Sequence, residues 1–406
     1  MTQPETRRVP PHPTPRAAGR LFSRPAAVAS CVAFVLIGML QALYGPAVPG
    51  LRTEYGLSPS AAGLGLSLHF TGGVAGVLVF NAVHSRISNR LLLGSGYALM
   101  AVGSLGFALS PDWPLALSSA FLGGLGFGGI DYGLNQLFAV GFGDRSTAML
   151  NILNAHFGIG AVLGPALIAA LGPDGYPYAF GACAVLAASL ILCTKGVGTA
   201  EPAPVHTAET PRPRLLSRVL VGFLALYILN VAVEAGVGGW EPSHLEAIGY
   251  PATLAASATS AYWLMMTVGR FLVVPLTHRH SAERILTVCA AGMTACLLLA
   301  LIPGAAPYAY AGVGLFIAPV FPTGLPWLNR ALPHARRAGA WVIAASMIGG
   351  VAAPPLLGKG IETSGMRAVP ALLTALSAAS LLATLTTGWS TRNARAGARR
   401  RAHSKV

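Results

Sequence analysis

The sequence predicts an all-α integral membrane protein of about twelve transmembrane helices, arranged as two six-helix halves. Three observations predict it. Of 406 residues, 54% are hydrophobic and 10% charged, against about 25% charged in an ordinary soluble domain. About twelve stretches reach the ~20 mostly apolar residues that a helix needs to cross the hydrocarbon core. A polar, Pro-rich segment near the midpoint divides them six and six.

In chain order, residues 1–25 read as a disordered cytoplasmic tail. Arg7, Arg8, Arg16, Arg20 and Arg24 dominate it, no small-residue cleavage site follows, and its prolines spoil the amphipathic helix of a presequence. The first half, 26–195, holds spans at 26–47, 59–81, 91–110, 115–140, 147–171 and 177–195. Residues 196–216, with four Pro and several Thr, lack the apolar content for a core and read as a flexible cytoplasmic linker. The second half, 217–388, holds spans at 217–240, 253–276, 283–303, 307–329, 338–358 and 368–388, and a basic cytoplasmic tail follows at 389–406. Pro319, Pro322 and Pro326 are expected to kink the tenth span and free backbone carbonyls.

The net charge of +14 would suggest nucleic acid in a soluble protein. Here 23 of the 27 Lys and Arg fall in the tails and the even-to-odd loops, while the opposite loops hold only Arg52, Lys359 and Arg367. That asymmetry is the positive-inside rule, so basicity encodes a multi-pass topology with both termini cytoplasmic. The expected site is the plasma membrane, with the bilayer as partner and no nucleic acid. Cys31, Cys183, Cys193, Cys289 and Cys296 lie in or beside spans without CxxC or His/Cys spacing, so no disulfide, metal or cofactor is expected.

The halves repeat weakly. Gly160 and Pro165 match Gly350 and Pro355 at an offset of 190, and Gly56, Gly76 and Arg86 match Gly249, Gly269 and Arg279 at an offset of 193. Internal duplication of this kind points to transporter folds with a midplane site between the repeats.

Several stretches carry a family resemblance. The loop Asn81-Ala-Val-His-Ser85-Arg86-Ile-Ser-Asn-Arg90 resembles the Gly-x-x-x-Asp-Arg-x-Gly-Arg-Arg loop of the major facilitator superfamily. It keeps Arg86 and Arg90, which the resemblance places at a cytoplasmic gate, but Ser85 cannot take the charge-relay role of the family's Asp. Gly128-Gly-Ile-Asp131-Tyr-Gly-Leu-Asn135, with Leu150-Asn-Ile-Leu-Asn154-Ala-His156-Phe-Gly-Ile-Gly160-Ala-Val-Leu-Gly164-Pro165, resembles the fucose–galactose–glucose:proton symporter group. That group carries an acid in the fourth span, matched by Asp131, and an Asn in the fifth, matched by Asn151 or Asn154. Glu234-Ala-Gly-Val-Gly-Gly-Trp240 and Ala318-Pro-Val-Phe-Pro322-Thr are similar to the same group. Gly160-x-x-x-Gly164-Pro165 also resembles the front of an antiporter signature of drug exporters, whose last two glycines are Ile168 and Ala169 here.

Ionisable residues inside spans are costly, roughly 2.5–3.5 kcal/mol each at a helix centre, and therefore point to function. Five qualify: His69, Asp131, His156, Glu234 and Arg270. Asp131 shares a face with Asn135, Gly128 and Gly124, a polar stripe expected to line a cavity. A carboxyl placed there can exchange a proton near physiological pH, as a coupling group must. The competing reading is a structural Asp bonded to a neighbouring helix. Glu234, in the outer half of the seventh span, shares a face with Tyr227 and Asn230, and is either a second proton acceptor or an idle vestibule acid. Gly236, Gly238 and Gly239 would let that helix bend.

Arg270 either snorkels to the interface or pairs with an inner acid, of which Asp131 is the nearer expectation. His69 and His156 sit on Gly-rich faces and read as packing residues or proton relays. Gln41, Tyr44, Trp263 and Asn329 complete the expected pocket with Asn135, Asn151, Asn154, Tyr227 and Asn230, because sugar sites combine amide bonds with aromatic faces. Trp240, at a span end, fits an interfacial anchor.

The sequence therefore reads as a monomeric secondary transporter of a small, sugar-like solute, working by alternating access and coupled to protons through Asp131 and Glu234. The rival is a proton-coupled antiporter exporting a hydrophobic compound. A membrane enzyme or receptor ranks below both, since HExxH, GxSxG and paired catalytic carboxylates are missing.

Overall fold

Short capping residues set the helix starts. A computed structural model describes residues 21–172, 174–198, 218–332 and 338–403. Ser23 caps α1 (Arg24–Tyr55), Ser58 caps α2 (Pro59–Val83), Ser88 caps α3 (Asn89–Ala108) and Asp112 caps α4 (Trp113–Gly141), each side chain accepting from a first-turn N–H. The first half closes with α5 (Ser146–Leu171) and α6 (Tyr176–Cys193). The second comprises α7 (Arg218–Ala247), α8 (Ala252–Arg279), α9 (Ala282–Leu299), α10 (Ala306–Ile317), α11 (Val320–Ala331), α12 (Ala338–Ser364) and α13 (Val369–His403). Among the described residues the one β interaction is a bridge between Phe22 and Val197.

Eleven helical segments are long and apolar enough to cross a membrane. The 28-residue α8, richer in Ser and Thr, completes the set. The expected kink in the tenth span is a full break, with α10 and α11 meeting at Ala318 and Pro319. Two ends differ from expectation. The seventh helix runs through Ala247 because Pro242 is accommodated inside it, so Glu234 lies mid-helix and not in an outer half. The last helix runs to His403, past residue 388, through an Ala- and Arg-rich stretch of good helix formers. The expected tail at 1–20, the linker at 199–216 and residues 404–406 lie outside the described residues.

The repeat is visible in the turns. Gly56, at φ 64°, ends α1, and Gly249, at φ 103°, follows α7, a left-handed conformation that glycine alone adopts without strain.

Glycines set the packing inside each half. α2 and α4 interlock backbone to backbone: a Cβ on Gly72 or Gly76 would overlap the carbonyls of Phe121 or Leu125, and one on Gly124 or Gly128 those of His69 or Gly73. Small residues at helix crossings are how membrane helices gain dispersion contact where lipid offers no hydrophobic contrast. α1 and α5 repeat the device with Gly38 on Phe157 and Gly160 on Val35. Aromatic clusters fill what remains: Tyr44, Phe107 and Phe180 in the first half, Tyr262, Trp240 and Tyr310 in the second.

The halves meet through α2 with α12, α5 with α8, and α1 with α7. These contacts lie toward the end of the bundle away from the chain termini. There Glu362 of α12 accepts from Ser60 N of α2 at 3.0 Å and from the Ser60 hydroxyl, while Lys359 pairs with the same carboxylate at 2.8 Å. Deeper in, Ser67 Oγ donates to Val351 O at 2.6 Å and Ser260 Oγ to Val162 O at 2.9 Å. Continued toward the termini, the same faces of α2 and α8 lose their partners: Leu78 is 63% exposed and Phe271 66%. The halves thus enclose a cleft, closed at the distal end and open at the end that carries the termini.

Candidate functional site

The cleft wall of the first half is built by α4 and α5. Asp131 and Asn135 stand one helical turn apart, so their side chains stack on one face. Asn135 Nδ2 donates to Asp131 Oδ1 at 3.0 Å and to Asp131 O at 2.9 Å. Asn154 of α5 then donates from Nδ2 to Asn135 Oδ1 at 3.0 Å and to its own Leu150 O at 2.9 Å. Both amide N–H pairs are thereby spent, which fixes both flips. Among the described residues no partner engages Asp131 Oδ2 or Asn154 Oδ1. Asp131 and Asn135 are half-buried, Asn154 is exposed, and the chain runs from a carboxylate outward along the opening. Beside it Tyr132 OH donates to Asn81 Oδ1 at 2.7 Å, tying α4 to the end of α2.

The opposite wall carries Glu234, half-buried in the middle of α7, and Arg270 of α8. The Arg270 guanidinium contacts Met266 Sδ at 3.9 Å, and the carboxylate its field reaches is Glu234. Tyr262 OH donates to Glu234 O at 3.4 Å from the buried side. The expected pairing of Arg270 with Asp131 is absent, because the two stand on walls that diverge toward the termini. Among the described residues the ion pairs are Lys359 with Glu362 and Arg392 with Glu283. Arg270 lies nine residues from the end of α8, ~14 Å at 1.5 Å per residue.

The sequence profile of the Major Facilitator Superfamily matches residues 30–313. The chain belongs to that superfamily. The Cyanate transport protein CynX of Escherichia coli (strain K12) is 28% identical over 267 residues, 63% of this chain and 68% of that one. Sodium-dependent glucose transporter 1A of Mus musculus is 22% identical over 373 residues, 80% of this chain and 87% of its own. Among solved structures, a D-xylose-proton symporter superposes with a TM-score of 0.74 at 17% identity, covering 89% of this chain and 96% of that one. The nucleoside transporter NupG gives 0.73 at 13%, covering 89% and 98%. At these identities the structures establish the fold alone, two bundles of membrane-spanning helices.

This major facilitator protein places several expected pocket residues elsewhere. Tyr44 and His69 face the interior of the first half, Tyr44 OH and His69 Nδ1 lying 3.4 Å apart among the rings of Phe107, Phe127 and Phe180. Tyr227 and Asn230 are buried within the second half, Tyr227 OH donating to Phe321 O at 3.4 Å. Trp263 is buried between α8 and α7, in van der Waals reach of Gly238. The face of α7 through Tyr227 therefore packs against α11, Asn230 is buried with neither amide atom hydrogen-bonded among the described residues, and of that stripe only Glu234 is half-buried. Gln41 is half-buried; Asn151 and Asn329 are exposed.

His156 is half-buried and bonds Ile152 O of its own helix at 2.7 Å. Gly124 and Gly128 pack on α2 and line no cavity. Arg86 is exposed, and Arg90 donates from Nε to Val197 O at 2.7 Å, anchoring the start of the linker to α3 and not bridging the halves. Sequence reasoning missed Glu241, which read as the first polar residue after a span and is fully buried inside α7. The signal was the apolar spacing of Val237, Trp240 and Leu245 continuing across Pro242.

Removing the Tyr44 hydroxyl tests this placement. Tyr44→Phe is expected to cost about 1 kcal/mol of stability, the net worth of one long hydrogen bond, and to leave initial transport rates unchanged. Thermal melts beside uptake assays measure both, and a rate loss of tenfold or more would return Tyr44 to the cleft.

Proposed function

We propose that this protein is a proton-coupled secondary transporter of a small, neutral, polyhydroxylated solute, with Asp131 as its coupling carboxylate. One observation supports the reading above the others: the Asp131–Asn135–Asn154 hydrogen-bond chain in a cleft closed at one end and open at the other. Amide groups with spare acceptors suit hydroxyl donors, and the half-buried carboxyl beside them can exchange a proton as solvent access changes. The distribution of Lys and Arg supports cytoplasmic termini, and so an open mouth on that side, with the plasma membrane as the membrane spanned. The protein then works as a monomer, its halves rocking about the cleft between inward- and outward-open states. A proton biases these states only through unequal affinity for them. Each proton entering down 100 mV supplies roughly 2.3 kcal/mol, enough for about 50-fold accumulation of a neutral solute. Glu234 is the second carboxylate available to the cycle.

The test is uptake into proteoliposomes under an imposed proton gradient, across D-xylose, D-glucose, a nucleoside, cyanate and a lipophilic dye. Wild type is expected to accumulate a sugar-like solute with internal acidification. Asp131→Asn is expected to abolish gradient-driven accumulation while keeping solute exchange within about threefold of wild type, since Asn keeps the shape and loses the proton. Intact accumulation in Asp131→Asn sinks the assignment, and dye efflux that alkalinises the opposite compartment makes the protein an antiporter.

A further inference from the structure

A further carboxylate lies outside the cleft, enclosed in the distal part of the second half. Glu241 is 0% exposed, and among the described residues neither Oε1 nor Oε2 has a hydrogen-bond partner within bonding geometry. The hydroxyl of Thr259 from α8 lies beside it and donates to Ala255 O at 3.3 Å. Tyr262 of α8 and Tyr310 of α10 feel its charge. Tyr310 OH and His244 Nδ1, one turn along α7 from Glu241, are bonded at 3.0 Å. Among the described residues no cation lies within ion-pair distance: Arg270 and Glu234 share Tyr262 from the cleft side, and Glu246 faces a crevice against α1 and α5. The parts of α12 and α13 packed on this stretch contribute Pro354, Leu357 and Leu373, and those of α1 and α2 contribute Gly45 and Leu66.

An ionised carboxylate here, dry and unpaired, would carry a desolvation penalty of several kcal/mol with nothing to offset it. Groups so placed neutralise by taking a proton. The neighbouring residues of α7 also form the seam between the halves: Gly238 O meets Gly45 of α1, Gly239 meets Leu66 of α2, and Pro242 abuts Pro46 and Pro49.

We propose that Glu241 is a proton-binding site of its own, separate from the cleft, that is occupied while the distal seam is closed and exchanges with the distal compartment when it opens. The step is simple in atoms: one proton from bulk water forms an O–H bond on Glu241 and cancels its charge before burial. Thr259 and the Tyr310–His244 pair supply the polar surroundings that orient the acid.

Infrared spectra of the full-length protein in lipid nanodiscs test this by the C=O stretch of protonated carboxyls. At neutral pH a band is expected that disappears in Glu241→Gln and persists in Asp131→Asn and Glu234→Gln, so failure of the central coupling and failure of this site are read separately. Thr259→Val, which keeps the shape and removes the hydroxyl, is expected to shift the same band. It keeps the test open where Glu241→Gln fails to fold. A Glu241→Gln spectrum identical to wild type, or a Thr259→Val spectrum without a shift, overturns the proposal. So does thermal stabilisation by sodium over choline that Glu241→Gln abolishes, which would make this a metal-cation site.

Discussion

Gly128→Val is expected to prevent the first half from reaching its packed state, with a loss of roughly 3 kcal/mol or more of stability and a fall of about 10 °C in melting temperature. The new Cβ would sit on the carbonyl of Gly73, and its branches would extend further into α2. Overpacking elsewhere is relieved by a side chain changing rotamer, but here both partners are backbone, so α4 as a whole must move. Gly72, Gly76 and Gly124 lock the same crossing at three more points and resist that movement. α4 also carries Asp131 and Asn135, and a displacement of 1 Å separates them from Asn154 on α5, so residual folded protein loses transport as well.

Gly94→Val and Gly181→Val are the controls, since a Cβ at either meets nothing within 4 Å. Both are expected to melt and to transport as wild type does. Size-exclusion profiles and melts in detergent measure the contrast, and a monodisperse Gly128→Val protein with an unchanged melting temperature would refute the backbone-to-backbone account.

The same glycines show what sequence can and cannot express in a membrane chain. Span number and order were legible because hydrocarbon thickness sets a minimum apolar length, and the distribution of Arg and Lys oriented the spans. Helix ends were less legible: Glu241, Pro242 and His244 resemble a loop, yet the surrounding bundle buries and tolerates them inside α7. Asp131 with Asn135 could be read from a four-residue spacing. That Asn154, and not Asn151, completes the chain depends on how α4 approaches α5, which no local pattern encodes. Tyr44 was assigned to the pocket, and His69 left between packing residue and relay, because α1 and α2 are largely apolar, and such helices offer little to tell the core of a half from the cleft between halves. Whether Arg270 meets Asp131 depends on how far the walls diverge, a property of the conformational state.

Gly45→Val is expected to give the opposite outcome to Gly128→Val from an equally tight contact. Gly45 of α1 and Gly238 of α7 are 193 residues apart, the offset that also relates Gly56 to Gly249, so the two halves cross at repeat-equivalent glycines. A Cβ on Gly45 would overlap the carbonyl of Gly238. This contact belongs to the distal seam and to neither core, and it is absent from any state in which the seam is open. Its cost therefore falls on one conformation only. An overlap worth about 3 kcal/mol shifts a two-state equilibrium by roughly 100-fold, toward the distally open form.

The variant is expected to fold, to melt within a few degrees of wild type, and to slow net uptake by at least tenfold because the cycle must pass through the closed seam. The bonds of Glu362 to Ser60 break in the same movement. A cysteine at position 60 in a background lacking the five native cysteines is therefore expected to label rapidly from the distal side in Gly45→Val and slowly without it. Slow labelling with normal uptake would show that the seam yields without opening. A variant that fails to fold would show that each half depends on the other for stability, contrary to the separate aromatic clusters of the two halves.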